Sequence, residues 1–249
     1  MGDRVTVGSV RFDTVSLDEA VECILDAAKK RTAYPVVTPN AIILRHALHD
    51  KTFLPYLQNA SLVLPDGVGV TLAARLLGER FPHGKLAGVV LGEAVLKRAA
   101  ERGVPVAFFG GKEGIAEEAK ARMTARFPAL SVAYCRNGYR FSSDAVANEL
   151  RESDAEIIFV CLGSPLQEEV GAFLAKRLSC PTLALGGSLD VYAGASVRAP
   201  RLFQRLGLEW LWRMLRERRR FRGIFTLFSF MTDVLRLKKE KRACNRPQR

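Results

Sequence analysis

The chain has 249 residues, 48% of them hydrophobic and 26% charged, which is enough to bury a sizeable core in one large domain or one domain with an appendage. That composition excludes a disordered chain, a collagen-like fibre and a disulfide-stapled mini-domain. The formal net charge of +12 is unevenly placed: residues 196–249 hold 16 Lys/Arg against 4 Asp/Glu, whereas residues 1–195 balance at 22 of each. A neutral body followed by a basic tail points to an anionic partner met by the tail.

The cysteines, Cys23, Cys135, Cys161, Cys180 and Cys244, are odd in number and far apart, with no CxxC spacing. Neither a disulfide framework nor a zinc ribbon is expected, and thiols in a reducing cytoplasm fit better. The N-terminus lacks the basic-then-apolar layout of a secretory signal. The longest apolar run of the tail, Ile224 to Met231, falls well short of the roughly 18–20 residues a bilayer span needs. Contact with a membrane is open to this chain; crossing one is not expected.

Along the chain, helical spacing covers Leu17 to Lys30, with Ser16 or Asp18 available as a cap. Tyr34–Thr38 reads as a strand, Asn40 to His49 as a helix, and Ser61–Leu64 as a strand ending at Pro65-Asp66-Gly67. Val68 to Leu77 and Leu91 to Arg102 read as helices, the second stopped by Gly103. Val104–Phe109 is a buried strand, and Gly110-Gly111 leads into a helix from about Gly114 to Phe127. Strand Ser131–Tyr134, helix Ser143 to Arg151 and strand Ile157–Leu162 follow. Gly163-Ser164-Pro165 then starts a helix through Leu178, and Pro181–Leu185 closes the series before Gly186-Gly187. Continuous apolar strands alternating with helices predict an α/β fold, a mostly parallel sheet with helices on both faces. Each strand ends in a polar or glycine-rich turn, and in such sheets ligands bind outside the carboxyl ends of the strands.

Beyond Arg198 the character changes. Leu202, Phe203, Leu206, Leu208, Trp210, Leu211, Met214 and Leu215 interleave with Arg201, Arg205, Arg213, Arg216 and Arg218–Arg220. Apolar residues at helical spacing beside an arginine face, with Trp210 and Trp212 among them, predict an amphipathic interfacial segment. The division expected is a catalytic body over residues 1–195 and a basic appendage over 196–249.

Several turn residues can carry chemistry, and each has a plainer reading. Gly110 and Gly111 follow a strand and open a helix, so their backbone can cradle a phosphate or simply form a tight turn. Asp66 is either a turn residue or a general base at the sheet mouth. Asn40 caps the next helix or, with Thr38, bonds a ligand hydroxyl. Asp190 is a ligand contact or a cap. His46 and His49 lack the companions of a metal motif, so no metal is expected. The arginine-rich tail suits nucleic acid, anionic lipid or a diphosphate-bearing substrate.

The turns occur in one order and spacing: TPNAIILRHAL (38–48), LPDGVGVTLAARLLG (64–78), FFGGKEGIAEEA (108–119), NGYRF (137–141), LGSPLQEEV (162–170) and LGGSLDVYAGASVRAPRLFQRLGLEWLWRML (185–215). The ordered set resembles the WecG/TagA/CpsF glycosyltransferase family, which includes N-acetylmannosamine transferases of wall teichoic acid synthesis. The resemblance implies a Rossmann-like core that binds a UDP-sugar. It also implies metal-independent, inverting transfer to an undecaprenyl-diphosphate-linked sugar at the cytoplasmic membrane face. Carried onto this chain, it makes Asp66 the base, sets Thr38 beside it as a catalytic residue, and places Asn40 and Gln167 in the same pocket. Lys85, Gly110, Gly111, Tyr139 and Asp190 join them as expected substrate contacts. Arg213, Arg216, Arg219, Arg220 and Arg222, with Trp210 and Trp212, are expected to meet the lipid diphosphate and membrane.

The chain departs from the family pattern at three places. Lys85-Leu86-Ala87-Gly88-Val89-Val90 stands where R-V-A-G-x-D is common, Leu166 where lysine is frequent, and Arg218 where proline is common. A lysine supplies a point charge without the bidentate fork of arginine. These differences bear on the donor sugar more than on the reaction class, and another UDP-hexose is the alternative within the family. Two other classes compete. A dinucleotide-dependent dehydrogenase is disfavoured by the missing GxGxxG. A nucleic-acid-binding module is disfavoured by the Trp, Leu and Phe content of the tail, which suits a bilayer interface. The sequence leaves open whether the chain forms a homo-oligomer.

Overall fold

The computed structural model describes residues 4–196, 200, 203 and 222–244, with side chains of the last segment described over 225–240. The chain opens with a hairpin, β1 (Arg4–Val7) and β2 (Val10–Asp13). There follow α1 (Leu17–Lys29), β3 (Tyr34–Val37), α2 (Ala41–His49), α3 (Leu54–Gln58), β4 (Leu62–Val63) and α4 (Val68–Leu76). The second stretch runs α5 (Gly88–Arg102), β5 (Val106–Gly110), α6 (Ile115–Arg126), β6 (Val132–Arg136), α7 (Ser143–Glu152), β7 (Ile157–Cys161), α8 (Leu166–Leu178), β8 (Pro181–Ala184) and α9 (Ser188–Tyr192). The last described element is α10 (Arg222–Cys244). Among the described residues no helix is long and apolar enough to cross a membrane.

Six strands form one parallel sheet in the order β4-β3-β8-β7-β5-β6. Its middle strands are wholly buried: all five residues of β5 and of β7 are inside. The pleat sends alternate side chains to opposite faces. Phe108 and Phe159 join the layer under α1, α5, α6 and α9, whereas Phe109 and Val160 face α7 and α8. This is the two-faced α/β architecture that the uninterrupted apolar strands predict.

Local signals explain the element starts. Ser16 and Glu19 form a reciprocal capping box at α1: the Glu19 amide donates to Ser16 Oγ at 3.3 Å and the Ser16 amide to Glu19 Oε2 at 2.7 Å. Helix α5 begins at Gly88, three residues before its apolar spacing becomes regular. A side chain at Gly88 would press to 2.8 Å from Thr38 Oγ1, so glycine lets the helix start against β3's turn.

Helix α10 is part of the core's margin. Phe230 and Val234 are fully buried in the layer formed by the hairpin, α2, α3 and α4. Burying a Phe side chain is worth roughly 1.5–3 kcal/mol relative to leaving it in water. Asp233 adds polar fastening to α2, pairing with His49 Nε2 at 2.9 Å and Arg45 Nε at 3.4 Å. His49 is thereby hydrogen-bonded to Asp233, and the His46 ring lies 3.5 Å from the Asp50 carboxylate instead. Cys161 and Cys180 are buried deeply enough that their thiols are pushed up to about 12. Such thiols stay protonated and inert at neutral pH.

Candidate active site

Because the six strands run the same way, the turns that follow them collect along one edge. From β3 the chain steps outward to β4, and from β5 outward to β6, while β8 and β7 fill the middle. The turns therefore diverge above β8 and β7, and a crevice of this kind is where open α/β sheets bind ligands.

One half of the crevice is assembled by bonds between turns. After β3, Thr38 is buried and its hydroxyl donates to the Ala184 carbonyl at the end of β8, 3.4 Å away. After β4, the Asp66 amide donates to Pro39 O at 3.3 Å, fastening the Asp66 turn to the Thr38-Pro39-Asn40 turn. The Leu86 amide donates to Pro65 O at 2.7 Å, bringing the segment with Lys85 beside Asp66. After β7, Gln167 is buried in the first turn of α8, and its Oε1 accepts from the Gly186 amide at 2.8 Å. Thr38, Asn40, Asp66, Lys85 and Gln167 thus come from four separate stretches of sequence to one end of the sheet. Asn40 is the cap of α2, its Oδ1 accepting from the amides of Ile42 at 2.9 Å and Ile43 at 3.2 Å. What it can offer a ligand is its Nδ2 donors.

The other half is built on β5 and β6. Gly110 has φ +134°, and a Cβ there would run into the Cys161 carbonyl of β7. Glycine is thus required by the approach of the two strands. The Gly111 amide donates to Cys161 O at 3.1 Å, and its carbonyl accepts from Gly138 at 3.0 Å. That ties the β5 and β6 turns together and commits the Gly111 N–H to the protein. Tyr139, in the turn after β6, is 60% exposed at the rim. Arg136, the last residue of β6, is bound to Glu149 of α7, which also accepts from Tyr134 Oη at 2.7 Å. These partners hold the Glu149 carboxyl below the usual carboxylate range. Asp190 lies in α9, whose N-terminus follows the Gly186-Gly187 turn. Its charge adds to the rise of the Cys161 thiol, which places it near the end of β7.

Two features escape a reading of the sequence. The first is Glu168, buried beside Gln167 although it is an acid. Its Oε1 accepts from Gln167 Nε2 at 3.0 Å, and burial pushes its carboxyl above the usual carboxylate range. The second is an apolar rim. The starts of α2, α4 and α10 meet, since a side chain at Gly69 would touch Ala41 and Leu227. Around that point Ile42, Val68, Leu72, Phe225 and Phe228 lie exposed, the two phenylalanines by 75% and 69%. The helices α2 and α4 begin immediately after Asn40 and Asp66-Gly67, so this rim borders the polar cluster. Arg213, Arg216, Arg219, Arg220, Trp210 and Trp212 lie outside the described residues, as does the side chain of Arg222.

A Bacillus spizizenii N-acetylglucosaminyldiphosphoundecaprenol N-acetyl-beta-D-mannosaminyltransferase is 32% identical over 216 residues, covering 85% of this chain and 81% of that protein. A protein of the same name from Staphylococcus aureus strain MW2 is 28% identical over 240 residues, covering 95% and 94%. The glycosyl transferase WecG/TagA/CpsF family matches residues 5–244, so the polar crevice and the helix that borders it fall within the match. The chain is a glycosyltransferase and belongs to the WecG/TagA/CpsF family.

Proposed function

We propose that the chain transfers N-acetylmannosamine from a UDP-sugar to an undecaprenyl-diphosphate-linked N-acetylglucosamine, with inversion at the anomeric carbon. The observation that carries this reading is the gathering of Thr38, Asn40, Asp66, Lys85 and Gln167 by inter-turn hydrogen bonds. The names of the two relatives give the acceptor class and the sugar transferred.

An inverting transfer takes place in one displacement. Asp66 removes the proton from the acceptor hydroxyl as that oxygen bonds to the anomeric carbon. The bond from carbon to the UDP oxygen breaks, and the electron pair leaves with UDP. A positioned base contributes roughly 10²–10⁴-fold. The growing charge on the diphosphate needs preorganised donors and cations, often the largest catalytic contribution. Lys85 and the tail arginines are assigned that role, the arginines also holding the diphosphate of the acceptor. If the tail supplies these cations, transfer depends on the tail, which would limit hydrolysis of the donor away from the membrane.

The apolar rim supports a peripheral station at the cytoplasmic face of the membrane. Exposed Phe225 and Phe228 beside the crevice offer interfacial burial, and the +12 charge of residues 196–249 offers attraction to anionic headgroups. Such a station would let a lipid-borne diphosphate reach Asp66 without leaving the bilayer surface.

Titrating the full chain with UDP, NAD and a random DNA duplex tests the ligand class. Saturable binding of UDP alone is expected, and it should persist in EDTA, because a metal-free role is assigned to Lys85 and the arginines. Tighter binding of NAD or the duplex, or loss of UDP binding and transfer in EDTA with recovery in Mn²⁺, would contradict the proposal.

A further inference from the structure

Glu168 is an acid that the reaction as described leaves without a role, and it sits where an acid is expensive. It is 97% buried, at 3% exposure, in the first turn of α8. Helix α8 packs on β3, β7 and β8, the strands whose turns form the polar half of the crevice. One carboxyl oxygen, Oε1, accepts from Gln167 Nε2 at 3.0 Å. Gln167 in turn accepts from the Gly186 amide at 2.8 Å, so a continuous chain of hydrogen bonds runs from α8 to the turn after β8. The other oxygen, Oε2, is buried and has no hydrogen-bond partner among the described residues. An unsatisfied buried polar atom costs about 1–3 kcal/mol, and a chain that gained nothing from it would do better with an apolar residue there.

We propose that Glu168 is a donor-site residue: its Oε1 fixes the Gln167 amide against Gly186, and its Oε2 is held for an acceptor oxygen of the bound UDP-sugar. The proposal rests on the glycosyltransferase reading and adds a residue to its donor site. The groups that bear most on the carboxyl are Gln167, the Ser164 hydroxyl and the Glu168 amide, none of them charged. Burial raises the carboxyl above the usual carboxylate range, which favours the uncharged acid. That form suits the assignment. A carboxylate would repel a diphosphate, whereas an acid accepts from Gln167 through one oxygen and donates an O–H through the other.

The test uses full-length Glu168→Gln, Glu168→Leu and Glu168→Met, the methionine providing an unbranched side chain of similar length should leucine not fit. Thermal melts accompany steady-state kinetics and calorimetric titration with UDP. Glutamine keeps an acceptor for Gln167 and an N–H in place of the O–H, so Glu168→Gln should stay within about threefold of wild type in kcat/KM. The apolar variants remove the unpaired Oε2 but also the acceptor of Gln167 Nε2, so they should melt close to the wild-type temperature while raising KM for the UDP-sugar by about tenfold or more, with a smaller change in kcat. Weakened UDP affinity would place the partner oxygen on the nucleotide; unchanged UDP affinity with raised KM would place it on the sugar. Wild-type KM in a folded apolar variant, or equal loss in Glu168→Gln and Glu168→Leu, would overturn the assignment. A merely structural glutamate would instead give a lowered melting temperature with KM unmoved. Absence of UDP binding and transfer by the wild type would strike the transferase reading itself, which the same titration separates from failure of Glu168 alone.

Discussion

Replacing Asp66 with asparagine is expected to lower turnover by at least about 10²-fold while leaving UDP affinity and the melting temperature close to wild type, as removal of a general base should. The local structure supports a clean test. The Asp66 backbone amide, which the substitution keeps, makes the bond to Pro39 that fastens the two turns. Gly67, with φ +82°, supplies the left-handed residue that starts α4, so the turn does not rest on the aspartate alone. Asparagine preserves the shape but replaces one acceptor oxygen with an N–H donor, and it cannot accept the hydroxyl proton. Single-turnover measurements with saturating donor would show the loss in the chemical step. Wild-type turnover in Asp66→Asn would return Asp66 to a turn residue.

Serine at both Phe225 and Phe228 is expected to weaken binding to anionic vesicles by at least about tenfold, since each buried phenylalanine contributes roughly 1.5–3 kcal/mol and burial at an interface is partial. Transfer to a lipid-linked acceptor should fall with it, while UDP binding stays. Both side chains are already in water in the free protein, at 75% and 69% exposure, so the fold has little to lose. The core contacts of α10 come from Phe230 and Val234 instead. Point variants are therefore a better probe than truncation near Ala195, which would strip those buried residues from the body. Binding should also weaken with salt, because headgroup attraction is screened over roughly 8–10 Å. Undiminished vesicle binding by the double variant would remove the rim from the membrane contact.

Much of this arrangement is legible in the sequence, and the exceptions have physical causes. β5 and β7 announce themselves as unbroken apolar runs because both faces of the sheet are covered. The turns after them are recognisable from glycine and proline, and in a parallel sheet those turns mark the site. The strand order is not readable in this way. That β8 inserts between β3 and β7 depends on how the helices pack, and without it Gln167 would not meet Gly186. The hairpin escapes for a different reason. Val5, Val7, Val10 and Phe12 alternate about a Gly-Ser turn, but each strand has only four residues and the signal is short. Helices α3 and α9 have five residues each, too few to show a period. Glu168 is invisible because an acid in the first turn of a helix reads as an exposed partner of the helix dipole. Only the packing of α8 onto the sheet buries it. The run Ile224 to Met231 is too short to span a bilayer, as its length requires. Its split role, Phe230 inward and Phe225 and Phe228 outward, emerges once α10 lies on α2 and α4.

If Asp66 drives inverting transfer onto a lipid-linked sugar, the linkage of the product reveals it. Full-length protein would be incubated with α-linked UDP-N-acetylmannosamine and an undecaprenyl-diphosphate-linked N-acetylglucosamine, in parallel with a panel of other UDP-sugars. The disaccharide linkage would be read by NMR. A β-linked N-acetylmannosaminyl product is expected, formed in EDTA as well as without it and absent at comparable enzyme concentration with Asp66→Asn. An α-linked product, or no transfer to the lipid acceptor from any UDP-sugar in the panel, would contradict it.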